Sequence, residues 1–245
     1  MTMFLNLFGL NQNIILHQTF TNAVELILSV IAFKYYLDQK NRFTASTAKL
    51  TATITISFMM RNTSPIGWIP LLAIKVLKEG AFVPFLLAGI FVAVPLIGAI
   101  IAVDTWFYTG KLDGSEWVVT SYNFYRMNIE IGGSESFGYE PFEAYVGSYI
   151  CQLYPALWPF VYIGVFTHVC TKFQTNSSPY LSYFSLFYVA FFSFIGHKEL
   201  RFMLPIVGFS FVFAAELMVQ MIKRGGWKRF VASFATKAFI LVEPG

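Results

Sequence analysis

Long apolar runs separated by short polar segments dominate the chain. The runs predict membrane-spanning helices at about residues 14–33, 44–60, 66–78, 81–103, 148–170, 180–196 and 202–222. A span needs about 20 mainly apolar residues to cross roughly 30 Å of hydrocarbon, and the run 81–103 meets this requirement without a charged residue. The pattern therefore predicts an all-α, polytopic membrane helix bundle of about seven spans. We interpret residues 1–245 as one transmembrane domain with a long polar loop at 104–147.

The composition favours the membrane class over the soluble one. Hydrophobic residues make up 56% of the chain and charged residues 12%, and the mean hydropathy is +0.61. A soluble domain carries about 25% charged residues. The basic residues lie in loops beside the spans, so the net charge of +4 bears on topology and gives no reason to expect a nucleic-acid partner. The sequence predicts no metal site and no cofactor.

The basic residues are distributed unevenly across the predicted membrane. If the spans alternate in direction, one side holds eleven of them: Lys34, Lys40, Arg42, Lys49, Lys75, Lys78, Lys172, Lys223, Arg224, Lys228 and Arg229. The other side holds five: Arg61, Lys111, Arg126, Lys198 and Arg201. Cytoplasmic loops carry an excess of Lys and Arg, so the second side is predicted to be lumenal. The three polar stretches 61–65, 104–147 and 197–201 would then share the lumenal face.

The stretch "HKELR", residues 197–201, interrupts two long apolar runs with four ionisable side chains. It would stand at the N-terminus of the span 202–222, where free backbone N–H groups and the helix dipole favour an anion. On a helix, His197, Lys198 and Arg201 would share one face. The sequence thus indicates a phosphate site, with Glu199 orienting one cation. A cluster of interfacial charges with snorkelling side chains is the alternative.

Two further segments carry candidate polar residues. Asn22 and Glu25 belong to a polar stripe on the first span, and an acidic residue within a span is a functional candidate or an interhelical hydrogen-bond partner. The stretch "EWVVTSYNFYRMNIE", 116–130, can form a helix in the membrane interface with Trp117, Tyr122 and Phe124 towards lipid. The alternative for this stretch is an ordinary amphipathic loop.

Four of these stretches, in order, resemble one family. "TNAVELIL", "RNTSPIGWIPLL", "DTWFYTG…VVTSYNFYRMNI…GYEPFEAY" and "HKELRFMLP" are similar to motifs of the family 22 glycosyltransferases, membrane mannosyltransferases of the GT-C class. The resemblance covers about residues 19–215, and Asn62 stands where the family usually has proline. Within the family, the chain is most similar to members that build the GPI anchor.

The resemblance implies an activity and a set of site residues. Dolichyl-phosphate mannose would be the donor, and a GPI-anchor precursor or another lipid-linked glycan the acceptor, on the lumenal side of the endoplasmic reticulum membrane. Substrate or lipid-phosphate contacts are expected from Arg61, Asn123, His197, Lys198 and Arg201. Structural or orienting roles are expected for Asn22, Glu25, Asp104 and Glu199. No catalytic residue is assigned.

The sequence departs from the family in one respect that bears on catalysis. Family members are roughly twice as long, and a lumenal loop before the matched region supplies their acidic general base, which must reach the acceptor hydroxyl. Residues 1–20 contain no such loop. We therefore expect part of a longer enzyme, one half of a split enzyme, or a non-catalytic descendant. The last would be a structural subunit that packs against partner membrane subunits and lipid, in the endoplasmic reticulum or the mitochondrial inner membrane.

The predicted sidedness can be tested by cysteine labelling of intact microsomes. Single cysteines at Ser134 and Leu200 should both be protected from a membrane-impermeant reagent, because both lie on the predicted lumenal side. A cysteine at Ser177, on the predicted cytosolic side, should react. Opposite accessibility of Ser134 and Leu200 would disprove the shared face.

Overall fold

All regular structure in the described part of the protein is helical. The computed structural model describes residues 20–114, 116–130, 138–170 and 179–223, and these contain no β-strand. Residues 14–19 of the first predicted span and residues 131–137 of the predicted loop lie outside the described residues. The predicted all-α membrane helix bundle is confirmed.

The first half of the described chain forms four helices. They are α1 (Phe20–Asp38), α2 (Ala45–Met60), α3 (Ile69–Ala73) and α4 (Phe82–Thr109). A 3₁₀ turn, Ser64–Trp68, leads into α3, and a π turn, Ile74–Lys78, continues it. Helix α4 contains a π turn at Gly89–Ala93 and ends where Gly110 adopts a positive φ of 69°. Thr44 caps α2 with its side chain, through a reciprocal pair of hydrogen bonds with Thr47.

The second half begins with short helices in and after the polar loop and continues with three longer apolar helices. Helix α5 (Thr120–Tyr125) is extended by a π turn, Arg126–Glu130. A π turn, Tyr145–Tyr149, precedes α6 (Ile150–Leu153). Then follow α7 (Trp158–Cys170), α8 (Pro179–Phe194), a 3₁₀ turn (Leu200–Met203) and α9 (Leu204–Lys223).

Among the described residues, two helices are long and apolar enough by themselves to cross a membrane. They are Phe82–Thr109 and the continuous helical segment Leu200–Ile222. The predicted span 148–170 is interrupted between α6 and α7. Pro155 has no N–H to donate and disfavours helical torsions at the residue before it, and Tyr154 has φ −131° and ψ 62°. The total of about seven spans stays a prediction.

An aromatic cluster joins α1 to α8 and α9. The ring of Phe33 lies 4.8 Å from that of Trp68, 5.4 Å from Phe184 and 4.7 Å from Phe209, and all four side chains are buried. Such pairs contribute about 0.5–1.5 kcal/mol each beyond their buried area. In lipid, where there is no hydrophobic driving force between helices, close packing of this kind holds a bundle together.

Helix α4 lies outside this core. Only 6% of the most apolar stretch of α4 is buried, whereas 67% of the most apolar stretch of Leu200–Ile222 is buried. Its large side chains, among them Phe91, Val94 and Val103, are exposed. This face is suited to contact with lipid.

The contact between α7 and α9 requires a glycine. A Cβ atom added at Gly164 would lie 2.6 Å from the backbone oxygen of Phe213. The obstacle is backbone in the middle of α9, so it cannot move aside as a flexible side chain would. Small residues are typical where membrane helices approach this closely.

We predict that Gly164→Ala lowers the stability of the bundle by about 1–3 kcal/mol, because the methyl group forces α7 away from α9. Thermal unfolding in detergent, followed by circular dichroism, measures the effect. Gly98→Ala in α4 is the matched control, since a Cβ there has nothing within 4 Å. Equal melting temperatures for the two variants would contradict the close approach.

Candidate functional site

The three predicted polar stretches meet at one end of the bundle. The Asn62 side-chain amide donates to the backbone oxygen of Ser121 at 3.2 Å. The Lys198 ammonium donates to the backbone oxygen of Glu140 at 3.0 Å. The loop 104–147 is therefore in contact with both 61–65 and 197–201. Their position on one face of the membrane, and the assignment of that face to the lumen, stay predictions.

A buried ion pair lies beneath this end. Arg61, directly after α2, places Nη1 2.6 Å from Oε2 of Glu25 on α1, and their side chains are 12% and 1% exposed. The Tyr188 hydroxyl on α8 donates to Oε1 of Glu25 at 3.2 Å. Each carboxylate oxygen thus has its own donor, as a buried charge requires. The three groups join α1, α8 and the end of α2.

The guanidinium of Arg61 also lies against two aromatic rings. Its Cζ is 5.9 Å from the ring centre of Phe192 on α8 and 5.2 Å from that of Phe202. Phe202 belongs to the 3₁₀ turn before α9. Cation–π contacts act within about 6 Å of a ring centre. Arg61 therefore couples the start of α9 to the buried ion pair.

Glu199 holds two of the predicted cations. Its Oε1 lies 2.9 Å from Nε2 of His197 and accepts from Nη2 of Arg201 at 2.6 Å, while Arg201 Nε pairs with Oε2. Partial burial raises the pKa of Glu199, but the hydrogen bonds and charges of His197 and Arg201 outweigh burial and set the pKa below its ordinary value. Glu199 is therefore a carboxylate at neutral pH. Its predicted role of orienting a cation agrees with this geometry.

Arg201 is the accessible member of this group. Its side chain is 47% exposed, and its Cζ lies 5.8 Å from the ring centre of Phe202. A guanidinium has five N–H donors, and Glu199 engages two of its nitrogens, so donors remain for a second acceptor. We call His197, Glu199, Arg201 and Phe202, together with Arg61, the rim cluster.

The position of the Lys198 side chain differs from the predicted one. We expected it to share one face with His197 and Arg201, but its side chain is buried and its ammonium donates to the backbone oxygens of Ile195, at 2.6 Å, and Glu140. The reason is local backbone structure. Residues 195–199 form a bend, a 3₁₀ turn occupies Leu200–Met203, and α9 begins at Leu204. The helical spacing assumed for the three cations therefore does not apply.

The remaining predicted residues surround this end without joining the rim cluster. Asn22 is buried on α1, one turn before Glu25. Asp104, near the end of α4, accepts from the Thr120 hydroxyl at 2.6 Å. Asn123 is exposed on α5. Within the described residues, none of the three forms a hydrogen bond to His197, Glu199 or Arg201, and no group of three His, Cys, Asp or Glu residues could hold a metal ion.

The predicted helix 116–130 begins later than expected. Residues 116–119 are not helical, because the backbone N–H of Val118 donates to the Thr105 hydroxyl at 3.0 Å, which ties the segment to α4. The helical part runs from Thr120 to Glu130. Trp117, Tyr122 and Phe124 are exposed, as an interfacial segment requires. Their insertion into the membrane interface stays a prediction.

Sequence reasoning missed four aromatic residues of this region: Tyr145, Tyr188, Phe192 and Phe202. Tyr188 and Phe192 lie in an apolar run whose pattern does not distinguish a residue facing Glu25 from one facing lipid. Tyr145 and Phe202 belong to the motifs "GYEPFEAY" and "HKELRFMLP". The motifs were the available signal, but they did not indicate which neighbour each ring contacts.

Comparison with known proteins gives one consistent result. The model of the Alg9-like mannosyltransferase family matches residues 1–242. GPI alpha-1,2-mannosyltransferase 3 of Bos taurus is 25% identical over 89% of this chain, and mannosyltransferase APTG1 of Arabidopsis thaliana is 24% identical over 84%. GPI mannosyltransferase 3 of Trypanosoma brucei brucei is 28% identical over 55% of this chain. These alignments cover 37%, 36% and 24% of the relatives' own lengths, so the matched part spans between about a quarter and little more than a third of these curated relatives. No solved structure matches.

We predict that Arg61→Met destabilises the bundle by about 3–5 kcal/mol, because it leaves the carboxylate of Glu25 buried without its cation. The double variant Glu25→Leu with Arg61→Met should regain most of that loss, since it removes both charges. Unfolding in detergent measures all three proteins. Arg126→Met, an exposed arginine on the same side, is the control, and a loss at Arg61 no larger than at Arg126 would show that the ion pair contributes little.

Proposed function

This chain belongs to the Alg9-like mannosyltransferase family, and we propose that it forms the part of a mannosyltransferase that holds a lipid-borne sugar phosphate. The donor would be dolichyl-phosphate mannose, and the acceptor a GPI-anchor precursor or another lipid-linked glycan. The names of the relatives, which include GPI alpha-1,2-mannosyltransferase 3, support the GPI precursor as acceptor. We propose the endoplasmic reticulum membrane as the location, with the rim cluster on the lumenal side.

The exposed guanidinium of Arg201 at the start of an apolar helix carries this proposal. A lipid phosphate has its charge at the membrane surface and its tail among apolar helices. Arg201 sits directly before α9, is half exposed and keeps N–H donors beyond those that Glu199 engages. Guanidinium and phosphate form charge-assisted, often bidentate hydrogen bonds. Arg201 is therefore the residue we assign to first contact with the donor phosphate.

We propose that His197 and Arg61 also favour binding of the donor phosphate, His197 from beside Arg201 and Arg61 from the interior of the bundle. His197 shares Oε1 of Glu199 with Arg201, so its ring lies beside the guanidinium. Arg61 is paired with Glu25 and largely buried, and it reaches the site through the ring of Phe202. We propose that Arg61 contributes positive charge without touching the phosphate, and that Lys198 stabilises the backbone that carries His197 and Glu199. A phosphate must compete with Glu199 for Arg201 or bind its remaining donors.

In this proposal the chain provides the binding site for the lipid-borne sugar phosphate, and we assign it no general base. Sugar transfer needs a carboxylate within hydrogen-bond distance of the acceptor hydroxyl. Glu199 is an unsuitable candidate because His197 and Arg201 occupy its carboxylate and lower its pKa. Asp104 is hydrogen-bonded to Thr120 and not to the rim cluster among the described residues. By resemblance to the family, the base belongs to an acidic lumenal loop of the longer relatives.

We expect Arg201→Ala to weaken binding of a short-chain polyprenyl phosphate by about tenfold or more, because one lost charge-assisted hydrogen bond is worth about 1.5–3 kcal/mol. Arg201→Lys should restore part of the affinity, since lysine keeps the charge but lacks the bidentate fork. The measurement is equilibrium binding to the purified chain in nanodiscs. In microsomes that transfer mannose from the donor, Arg201→Ala should abolish the transfer.

The controls separate phosphate recognition from general lipid binding. The uncharged polyprenol of the same chain length should bind wild type and Arg201→Ala equally. Arg126→Ala removes an exposed arginine outside the rim cluster and should leave phosphate binding unchanged. A wild-type chain that does not prefer the phosphate to the alcohol would overturn the proposal.

A further inference from the structure

Residues 139–145, which we call the strap, lie directly against the bend that carries His197 and Glu199. The backbone N–H of Glu140 donates to the backbone oxygen of Gly196 at 3.0 Å. A Cβ atom added at Gly196 would lie 2.9 Å from the Tyr139 ring. The strap belongs to the motif "GYEPFEAY" and the bend to "HKELRFMLP", more than 50 residues later in the chain. The fold therefore brings two motifs that are distant in the sequence into direct contact.

Lys198 connects the strap to the bend. Its ammonium donates to one carbonyl on each side, that of Glu140 in the strap and that of Ile195 at the start of the bend. The side chain is 4% exposed. A buried ammonium is retained only where its donors are satisfied. These two bonds fix the separation of the strap from the bend.

Tyr145 is hydrogen-bonded to the backbone of Glu199. Its hydroxyl accepts from the Glu199 N–H at 3.1 Å and donates to the Glu199 carbonyl at 3.3 Å. A phenolic hydroxyl can do both at once because it is a donor and an acceptor. The ring is fully buried and packs edge-on against Tyr149 at 5.2 Å. The Tyr149 hydroxyl in turn donates to the Glu140 carboxylate at 2.6 Å, so the strap is anchored at both ends.

These contacts determine where the Glu199 carboxylate can be. Both backbone polar groups of Glu199 are bonded to Tyr145, and its carbonyl also accepts from the Phe202 N–H at 3.1 Å. With the backbone fixed, the carboxylate is held where it bonds His197 and Arg201 together. Without the Tyr145 hydroxyl, the Glu199 backbone would keep only the hydrogen bond from Phe202, and we expect the two cations to be held less firmly in their common position.

We propose that Tyr145, assisted by Lys198, is a positioning residue that sets the geometry of the lipid-phosphate site through the backbone of Glu199. This role rests on the proposed function. Tyr145 and Lys198 do not touch the phosphate themselves. They act by keeping His197 and Arg201 aligned before the phosphate arrives, which lowers the cost of ordering the site on binding.

The first test measures the backbone contact without any ligand. In Tyr145→Phe, hydrogen exchange of the Glu199 amide should accelerate by about fivefold or more, because the hydrogen bond that protects this amide is lost. Amides in the middle of α9 should keep their protection. Tyr180→Phe is the matched control, since Tyr180 packs against Tyr36 at the other end of the bundle.

The second test measures binding of the polyprenyl phosphate used above. Tyr145→Phe should weaken it by about five- to tenfold, corresponding to about 1–1.4 kcal/mol, and leave binding of the uncharged polyprenol unchanged. In a Glu199→Gln background the same substitution should have less than a twofold effect, because Tyr145 acts through the Glu199 carboxylate. Such non-additivity is the signature of coupled residues. A general loss of structure would instead lower the affinity by the same factor in both backgrounds.

Each outcome decides for or against the proposal. Suppose that wild type prefers the phosphate to the alcohol. The positioning role is then wrong if Tyr145→Phe binds the phosphate as tightly as wild type, or if Tyr145→Phe loses the same affinity with and without the Glu199 carboxylate. In both cases the proposed function stands. If wild type shows no preference for the phosphate, the proposed function fails and the role fails with it. Should Tyr145→Phe not remain monodisperse in detergent, Lys198→Met takes its place in both tests, with the same expected directions.

Discussion

The buried ion pair of Glu25 and Arg61 is the constraint around which the functional end of the bundle is built. Neither charge can be left alone in a low-dielectric interior, because removing one partner costs several kcal/mol. Satisfying both draws four parts of the chain together: α1 with Glu25, the end of α2 with Arg61, α8 with Tyr188 and Phe192, and the start of α9 with Phe202. The aromatic core around Phe33 fills the space further along the same helices.

Above this pair the charges become progressively more accessible. Arg61 is inside, Phe202 separates it from Arg201, and Arg201 reaches the surface. Glu199 joins Arg201 to His197, and Tyr145 and Lys198 fix the backbone beneath them. The charges are paired with one another, Arg61 with Glu25 and Arg201 with Glu199, and we propose that a phosphate binds at the exposed end of this arrangement. This explains why so many ionisable residues are tolerated in a chain with only 12% charged residues.

The site is also built from distant segments, which limits what the individual motifs reveal. "TNAVELIL" supplies Glu25, "RNTSPIGWIPLL" supplies Arg61, "GYEPFEAY" supplies Tyr145, and "HKELRFMLP" supplies the rest. The first three motifs each supply one of these residues, and "HKELRFMLP" supplies four members of the rim cluster together with Lys198. Their order along the chain therefore indicated the family, while their meeting point required the packing of α1, α8 and α9.

Apolar runs and their boundaries were sufficient to predict the helices, because in a membrane the length of a run and its lack of charge decide what can span. They failed locally at Tyr154, where Pro155 breaks the predicted span, and at Val118, whose N–H is bonded to Thr105. Although their roles in a site stay predictions, the cations of "HKELR" and the acidic Glu25 were recognisable as candidates from residue type alone. Their partners were not, because hydrogen bonding depends on side-chain direction. A bend at 195–199 turned Lys198 inward to two carbonyls, and only the tertiary structure could place Arg61 against Glu25, 36 residues away along the chain.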